Sequence, residues 1–352
     1  MATTNTRHKN MITSYAEDIA LFGTGVRKFW FGFLIVGLVV LPWAGLAVGG
    51  NYFPYLLNLL GISAIVAMGL NLLTGSTGLV SLGHAAFVAV GAYTAAFLAN
   101  RLGCPFLLVI PASAIFTGCV GVVVGLPALR IKGIYLALAT LAFQFIAAHV
   151  FLHWESVTGG ANGIVLPAAE LGGFEFDTPV RFFYITATAA VLLALGIRNI
   201  MRSRLGRALL AIRDSDVAAE AMGVHLARYK TMVFGVSAAY AGLAGCLFAY
   251  FLSYIGPDHF TFQLSIEYLA MIIVGGLGSI LGAVLGAVIL TLLPEALRFV
   301  MDLLRAIDPN LVLPDLRAVI VGLILILMIL FEPHGLAGRW QKIRRYWTTW
   351  PF

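Results

Sequence analysis

The sequence predicts an all-α fold, a polytopic transmembrane helical bundle of about 8–10 spans with room for broken or re-entrant helices. Three observations predict it. Apolar residues make up 61% of the chain, mean hydropathy is +0.96, and charged residues are only 11%, against about 25% in soluble domains. A water-soluble surface cannot be covered with so few polar side chains, whereas in lipid the outer surface can be apolar too. Next, the apolar runs are long and unbroken, as in Phe31–Val48 and Ala318–Phe331. A membrane β-barrel would instead alternate in segments of about ten residues. Only helices and closed barrels satisfy every backbone polar group inside hydrocarbon, so with the barrel excluded the helix is left.

Taken in order with a window of about twenty residues, the spans fall near 30–48, 52–73, 84–100, 105–127, 132–152, 180–198, 230–252 and 316–332. The stretch Leu264–Val300 is too long for one crossing and is interrupted by Gly275-Gly276-Leu277-Gly278-Ser279. It predicts either two crossings or one crossing and a re-entrant half-helix. The membrane domain covers 29–335, flanked by a polar N-terminal tail (1–28) and a basic C-terminal tail (336–352).

Orientation follows the Lys/Arg bias. With ten spans and a cytoplasmic N-terminus, all but five of the 22 basic residues are cytoplasmic; Arg101, Arg181, Arg298, Arg305 and Arg317 are outside. A single crossing by Leu264–Val300 would move the C-terminal tail outside with little change in bias, so its side stays open. The net charge of +6 needs no nucleic acid, because the basic residues flank spans where anionic headgroups attract them. The polar stretch Met1–Lys28 before the first span leaves no cleavable signal pattern, and that span is expected to remain as an anchor. Cys104, Cys119 and Cys246 all lie in apolar stretches, an odd set without paired spacing, and read as packing residues.

The 38 glycines cluster. Gly278, Gly282 and Gly286 form a small-residue stripe of the kind that lets membrane helices approach closely. The segment Asn71–His84 differs: Gly75, Gly78 and Gly83, mixed with Thr74, Ser76, Thr77 and Ser81, break an apolar pattern that resumes at Ala85. Gly275, Gly276 and Gly278 make a second break. Non-helical backbone at membrane depth survives only inside protein or beside water, and transporters aim such half-helix ends at substrate. A pathway lining and a simple turn are both open for these breaks at this point.

The longest polar segment between spans, within 199–229, is placed by its charge in the cytoplasm. Asp214 or Ser215 can cap a short helix with Asp216 in its first turn, and Gly223 can end it. A short amphipathic helix of this kind suits docking in a partner's groove, although a solvated linker would satisfy the same charge rule.

That segment, together with Asn71–Tyr93, Gly133–Phe143, Thr158–Gly163, Gly242–Cys246 and Gly275–Gly286, resembles the branched-chain amino acid ABC transporter permease family, in particular its larger, M-type subunit. The resemblance runs from about residue 50 to Gly338. It implies a permease of the bacterial inner (cytoplasmic) membrane that carries leucine, isoleucine and valine. Its implied partners are a second homologous permease, two cytoplasmic ATPases and a periplasmic substrate-binding protein. It also implies that Arg213–Gly223 couples to the ATPases, with Arg213, Asp214, Asp216, Glu220, Met222 and Gly223 as the coupling residues. Glu220-Ala221-Met222-Gly223 approximates the family's Glu-Ala-Ala…Gly motif. Two departures are the polar N-terminal extension and Asn162, where many relatives have Asp.

For the translocation path the sequence nominates Asn71, Ser81, His84, Gln144 and Glu267, since polar groups inside hydrocarbon are expensive; interhelical hydrogen bonding explains them as well. His149 and His153 lie one turn apart, but Glu155 is off their face, so no metal site is expected. Trp30, Trp43, Trp154, Trp340 and Trp347 sit near span ends as interfacial anchors. The chain holds no Gly-x-x-x-x-Gly-Lys-Ser/Thr, so it cradles no ATP itself; ATP and magnesium belong on the partner ATPases, and the chain is not an enzyme. A membrane-embedded enzyme would need acid, base or metal-ligating residues clustered at one depth. The alternatives are a urea, amide or other amino-acid permease of the same family, or an ion-coupled secondary transporter, which also uses glycine-broken helices.

Overall fold

In the computed structural model, residues 25–126, 133–307, 317–332 and 335–349 are described. Most of the N-terminal tail and the loop carrying Arg130 and Lys132 lie outside them. The chain divides into two compact units, Met1–Phe53 and Pro54–Phe352. In the first, helix α1 spans Gly25–Gly49 with Pro42 inside it, and Gly45 lies against the Phe53 ring.

The second unit holds the bundle. Helices α2 (Tyr52–Thr77), α3 (His84–Leu102), α4 (Phe106–Gly125) and α5 (Ile134–His153) come first. A one-turn helix α6 (Glu155–Thr158) and three two-residue strands follow, β1 (Ile164–Val165), β2 (Glu170–Leu171) and β3 (Phe174–Glu175). Then come α7 (Pro179–Arg202), α8 (Arg204–Asp214), α9 (Asp216–Ala221), α10 (Leu226–Leu252) and strand β4 (Tyr254–Ile255). The chain ends in α11 (Phe262–Gly275), α12 (Ile280–Ile307), α13 (Arg317–Phe331) and α14 (Gly335–Thr349). β2 pairs with β3 as a small hairpin, and β1 pairs antiparallel with β4, tying the α5–α7 connection to the end of α10.

Among the described residues seven helices are long and apolar enough to cross a membrane, and an eighth span arises if α13 and α14 count as one across their 46° bend. Seven to eight is at or just below the lower end of the predicted number: in α1 only Val36–Ala47 counts, as a shorter apolar helix, and α11 is too short as well. Its 14 residues rise about 21 Å, short of the roughly 30 Å hydrocarbon core. The long stretch after residue 262 is therefore a half-helix followed by one full crossing.

The core forms where α10 packs along α4 and α3. Lipid tails are as apolar as leucine, so close backbone approach holds such helices together rather than hydrophobicity. A Cβ on Gly91 would run into the carbonyl of Gly242, and one on Gly245 into that of Val88. Interhelical hydrogen bonds add to this. Thr186 Oγ1 donates to Asn58 Oδ1 (3.0 Å), Ser237 Oγ to the Gly69 carbonyl (2.7 Å) and the Tyr240 hydroxyl to the Leu193 carbonyl (2.9 Å). Pro111 and Pro294 stand inside α4 and α12, which membrane helices tolerate because neighbours re-satisfy the freed carbonyls.

Overpacking a close crossing costs about 1–3 kcal/mol or more. Gly245→Leu is expected to lower the thermal unfolding midpoint of the detergent-purified protein sharply. Gly322→Ala, at a site with nothing within 4 Å of the new methyl, is expected to leave it unchanged. Equal melting curves for the two would remove this account of the core.

Candidate functional site

The two glycine-rich segments meet in space, and their backbone groups account for most of the buried polar side chains nearby. α2 runs beyond the predicted 52–73, through Gly75 to Thr77. The hydroxyls of Ser76 and Thr77 bond back to the carbonyls of Leu72 and Leu73. Gly78 then takes φ +73° and donates to the Thr74 carbonyl (3.0 Å), a left-handed C-cap that suits glycine. Residues 78–83 form no helix or strand, yet Leu79, Ser81 and Gly83 are buried.

This stretch delivers the chain to the start of α3 inside the bundle. The first amides of a helix have no intrahelical acceptor, and here side chains of α5 and α11 supply one. Leu82 N–H donates to Thr140 Oγ1 (2.9 Å), Ala85 N–H to Ser265 Oγ (2.9 Å) and Ala86 N–H to Gln144 Oε1 (2.8 Å). The Gln144 amide nitrogen donates in turn to the Phe260 carbonyl (2.9 Å), and Ser265 Oγ to Gln144 Oε1 (3.2 Å). Gln144 is ten residues into α5, about 15 Å along its axis, so α3 begins at mid-depth. Gly83 is needed because a Cβ there would collide with the Thr140 carbonyl.

The second break follows α11, with Gly276 at φ +116° and Gly278 at φ +81°. Asn71 holds it: Gly278 N–H donates to Asn71 Oδ1 (2.8 Å) and Asn71 Nδ2 to the Ser279 carbonyl (2.8 Å). A Cβ on Gly75 would strike the Gly278 amide, and Cβ atoms on Gly282 and Gly286 would strike the carbonyls of Gly275 and Met271. The glycine stripe thus packs α12 against α11. The start of α14 covers the same break, since a Cβ on Gly335 would lie 2.6 Å from both N and Cα of Gly276. Just before α14, Glu332 accepts from Arg339 Nε (2.9 Å) and Lys342 Nζ (3.2 Å).

The segment 199–229 is two helices and not a loop. Ser203 caps α8 and Ser215 caps α9, the latter accepting from Ala218 N–H (3.3 Å). Asp216 lies in the first turn of α9, and Gly223 follows its end at φ +84°. The short capped helix expected there is present, with Ser215 as its cap, and the Arg213–Gly223 segment is divided: Arg213 and Asp214 close α8, and Ser215 is a joint. Arg213 reaches away from α9, donating to the Gly75 carbonyl at 2.7 Å. Asp216 pairs with Lys230 of α10 at 2.8 Å. Asp214, Glu220 and Met222 are exposed, as is Val217.

Of the residues nominated for a path, Asn71 and Gln144 are structural pins, each bonded to two backbone groups. Ser81 and His84 are fully buried, and among the described residues their hydroxyl and ring nitrogens find no hydrogen-bond partner; the His84 ring stands edge-on to Phe87. Glu267 is half-buried on α11, two residues beyond Ser265. The structure therefore gathers Asn71, Gly75, Gly276 and Gly278 at one junction, and Gly83 and Gln144 at another. Sequence reasoning missed Thr140, Ser265, Ser279 and Lys230. Thr140 had a signal, standing four residues before Gln144 on the same face of an apolar helix.

A helical bundle with two interrupted spans and a capped surface helix tied to their junction defines a multi-pass membrane protein of the permease class. Residues 52–329 match the family described as the branched-chain amino acid transport system permease component. The chain is 34% identical over 299 residues to the high-affinity branched-chain amino acid transport system permease protein LivM of Salmonella typhimurium, covering 78% of this chain and 67% of that one. It is 32% identical over 343 residues to LivM of Escherichia coli K12, covering 90% and 76%. LivH of Escherichia coli K12 is 25% identical over 303 residues, covering 78% and 91%. No solved structure matches. The chain belongs to the branched-chain amino acid transport permease family.

A buried backbone group stripped of its partner costs about 1–3 kcal/mol. Asn71→Leu strips the Gly278 N–H and the Ser279 carbonyl, and Gln144→Leu strips the Phe260 carbonyl and leaves the Ala86 N–H only its longer bond to the Gly83 carbonyl, so both are expected to lower the unfolding midpoint clearly. His84→Met removes no hydrogen bond and is expected to leave stability equal or slightly higher. The check is thermal unfolding of the three purified variants; His84→Met melting lowest would contradict these assignments.

Proposed function

We propose that this chain is one permease subunit of an ATP-driven importer in a bacterial inner membrane. Its cargo is the branched-chain amino acids, delivered by a periplasmic binding protein. A second homologous permease completes the pathway and two cytoplasmic ATPases drive it. The observation that carries this reading is α9, a capped helix of six residues with Val217, Glu220 and Met222 exposed, inside a chain of this family. Such a helix suits insertion into a partner's groove, and an ion-coupled transporter working alone has no use for one.

In this reading Asp214, Glu220 and Met222 meet the ATPase, and Gly223 sets the exit from α9. The buried Lys230–Asp216 pair anchors α9 to α10, so force on α9 enters the bundle directly. ATP and magnesium stay on the ATPases. The path runs past the start of α3, where Ser81 and His84 have hydrogen-bonding capacity to spare and Glu267 stands nearby along α11. Segments with two discrete packings around a fixed site are how such bundles alternate access.

The test is uptake of labelled leucine, isoleucine and valine into proteoliposomes carrying the whole complex, with ATP inside or outside and with or without an ion gradient. Uptake is expected only with ATP on the ATPase side and only with the binding protein. Transport by this chain alone on an ion gradient would end the proposal. Glu220→Leu and Gly223→Leu are each expected to lower uptake at least ten-fold while the permease still inserts; wild-type uptake in both would remove α9 from the coupling role.

A further inference from the structure

We propose that Arg213 is not an ATPase contact but a latch within this chain, closing the junction of the two interrupted helices in one state of the cycle and releasing it in the other. The inference rests on the transport reading above and adds a part to it.

The guanidinium of Arg213 donates to the Gly75 carbonyl at 2.7 Å. That carbonyl lies in the last turn of α2, where carbonyls lack intrahelical partners and the helix dipole is negative, so a cation fits it. A Cβ on Gly278 would lie 3.1 Å from the same guanidinium nitrogen. One side chain therefore touches the end of α2 and the break after α11. Asn71 already joins those two elements through Gly278 and Ser279. Arg213 adds the surface helices to the junction.

Two features make this contact the one that moves. First, Arg213 stands three residues before Asp216, with only Asp214 and the cap Ser215 between, so a displacement of α9 reaches it at once. Second, the two tethers of this region differ in burial. Lys230 is buried and its partner Asp216 mostly so, with side-chain exposures of 8% and 25%. Arg213 is an exposed side chain reaching a buried glycine, so its contact is part-buried and water can take up the guanidinium once it leaves. The ion pair, with neither partner exposed, is suited to carry load, and the contact made by an exposed side chain to open. With Arg213 withdrawn, Asn71 still ties α2 to Gly278 and Ser279.

The experiment uses the full complex in proteoliposomes, with Arg213→Gln, which keeps a donor without charge, and Arg213→Lys, which keeps the charge. Three quantities are read: ATP hydrolysis, uptake per ATP, and the labelling rate of a thiol placed by Ser279→Cys in a background lacking Cys104, Cys119 and Cys246. For Arg213→Gln, hydrolysis is expected within two-fold of wild type, uptake per ATP at least ten-fold lower and labelling at least three-fold faster. Arg213→Lys is expected to recover at least half of the uptake per ATP and slow labelling again. Wild-type uptake per ATP and labelling in Arg213→Gln would overturn the latch. So would a loss of hydrolysis equal to the loss of uptake, since that marks an ATPase contact. If neither variant assembles, labelling of the Ser279→Cys chain in the wild-type complex decides: it is expected to change between ATP-bound and nucleotide-free states, and a constant rate overturns the proposal. If wild-type complex carries no branched-chain amino acid, the cargo reading fails while the labelling comparison still judges the latch.

Discussion

The constraint behind most of this structure is that backbone amides and carbonyls at membrane depth have no water to fall back on. An uninterrupted helix meets it internally, and a broken one needs side chains brought from elsewhere. Asn71 and Gln144 do this work here, each bonding a backbone N–H and a backbone carbonyl on other segments. Both are amides, carrying a donor and an acceptor on one planar group, and neither introduces charge. Thr140 and Ser265 complete the start of α3 by the same logic. The interruptions are thus fixed joints within the protein and not stretches of loosened helix.

Glycine supplies the other half. Asn71 reaches Gly278 and Ser279 because the backbones of α2 and the second break come together at Gly75, where any Cβ would strike the Gly278 amide. Gly83 brings the first break against the Thr140 carbonyl in the same way. Close approach and hydrogen bonding are therefore one design: a methyl group at either glycine would push the amide side chains out of range of the groups they satisfy. At both breaks the left-handed backbone, φ of +73° at Gly78 and +116° at Gly276, falls where the chain leaves helix.

Much of this was legible in the sequence, for reasons that mark where legibility stops. Apolar run length gave the membrane class and the bundle, and the cap residues gave α9, because those signals are local. Gly75 misled, since in a membrane helix glycine is as often a packing surface as a terminus; only the neighbouring backbone of Gly278 tells which. The stretch after residue 262 left its crossings open because hydropathy counts apolar residues and cannot see that α11 ends after 14 of them. Arg213 and Asp216 looked like surface charge from their neighbours, and their partners, Gly75 and Lys230, are set by tertiary contact. Asn71 and Gln144 stood out as polar groups in hydrocarbon, but whether such a group is a pin or part of a path depends on what faces it.

That distinction also isolates Ser81 and His84. Every other nominated residue at the two joints is bonded to something specific, whereas these two are fully buried and unpaired among the described residues. Leaving a polar group in that condition costs about 1–3 kcal/mol, and the neighbouring pins could have been arranged to relieve it. Sequences otherwise consistent with their fold break a local rule chiefly where function requires it. Both residues belong to the first interruption, one within its extended stretch and one at the first turn of α3. The second interruption, by contrast, is satisfied by Asn71 and covered by Gly335. The two breaks are therefore unequal: the second has its facing backbone groups bonded by Asn71, and the first keeps two buried polar side chains without a partner among the described residues.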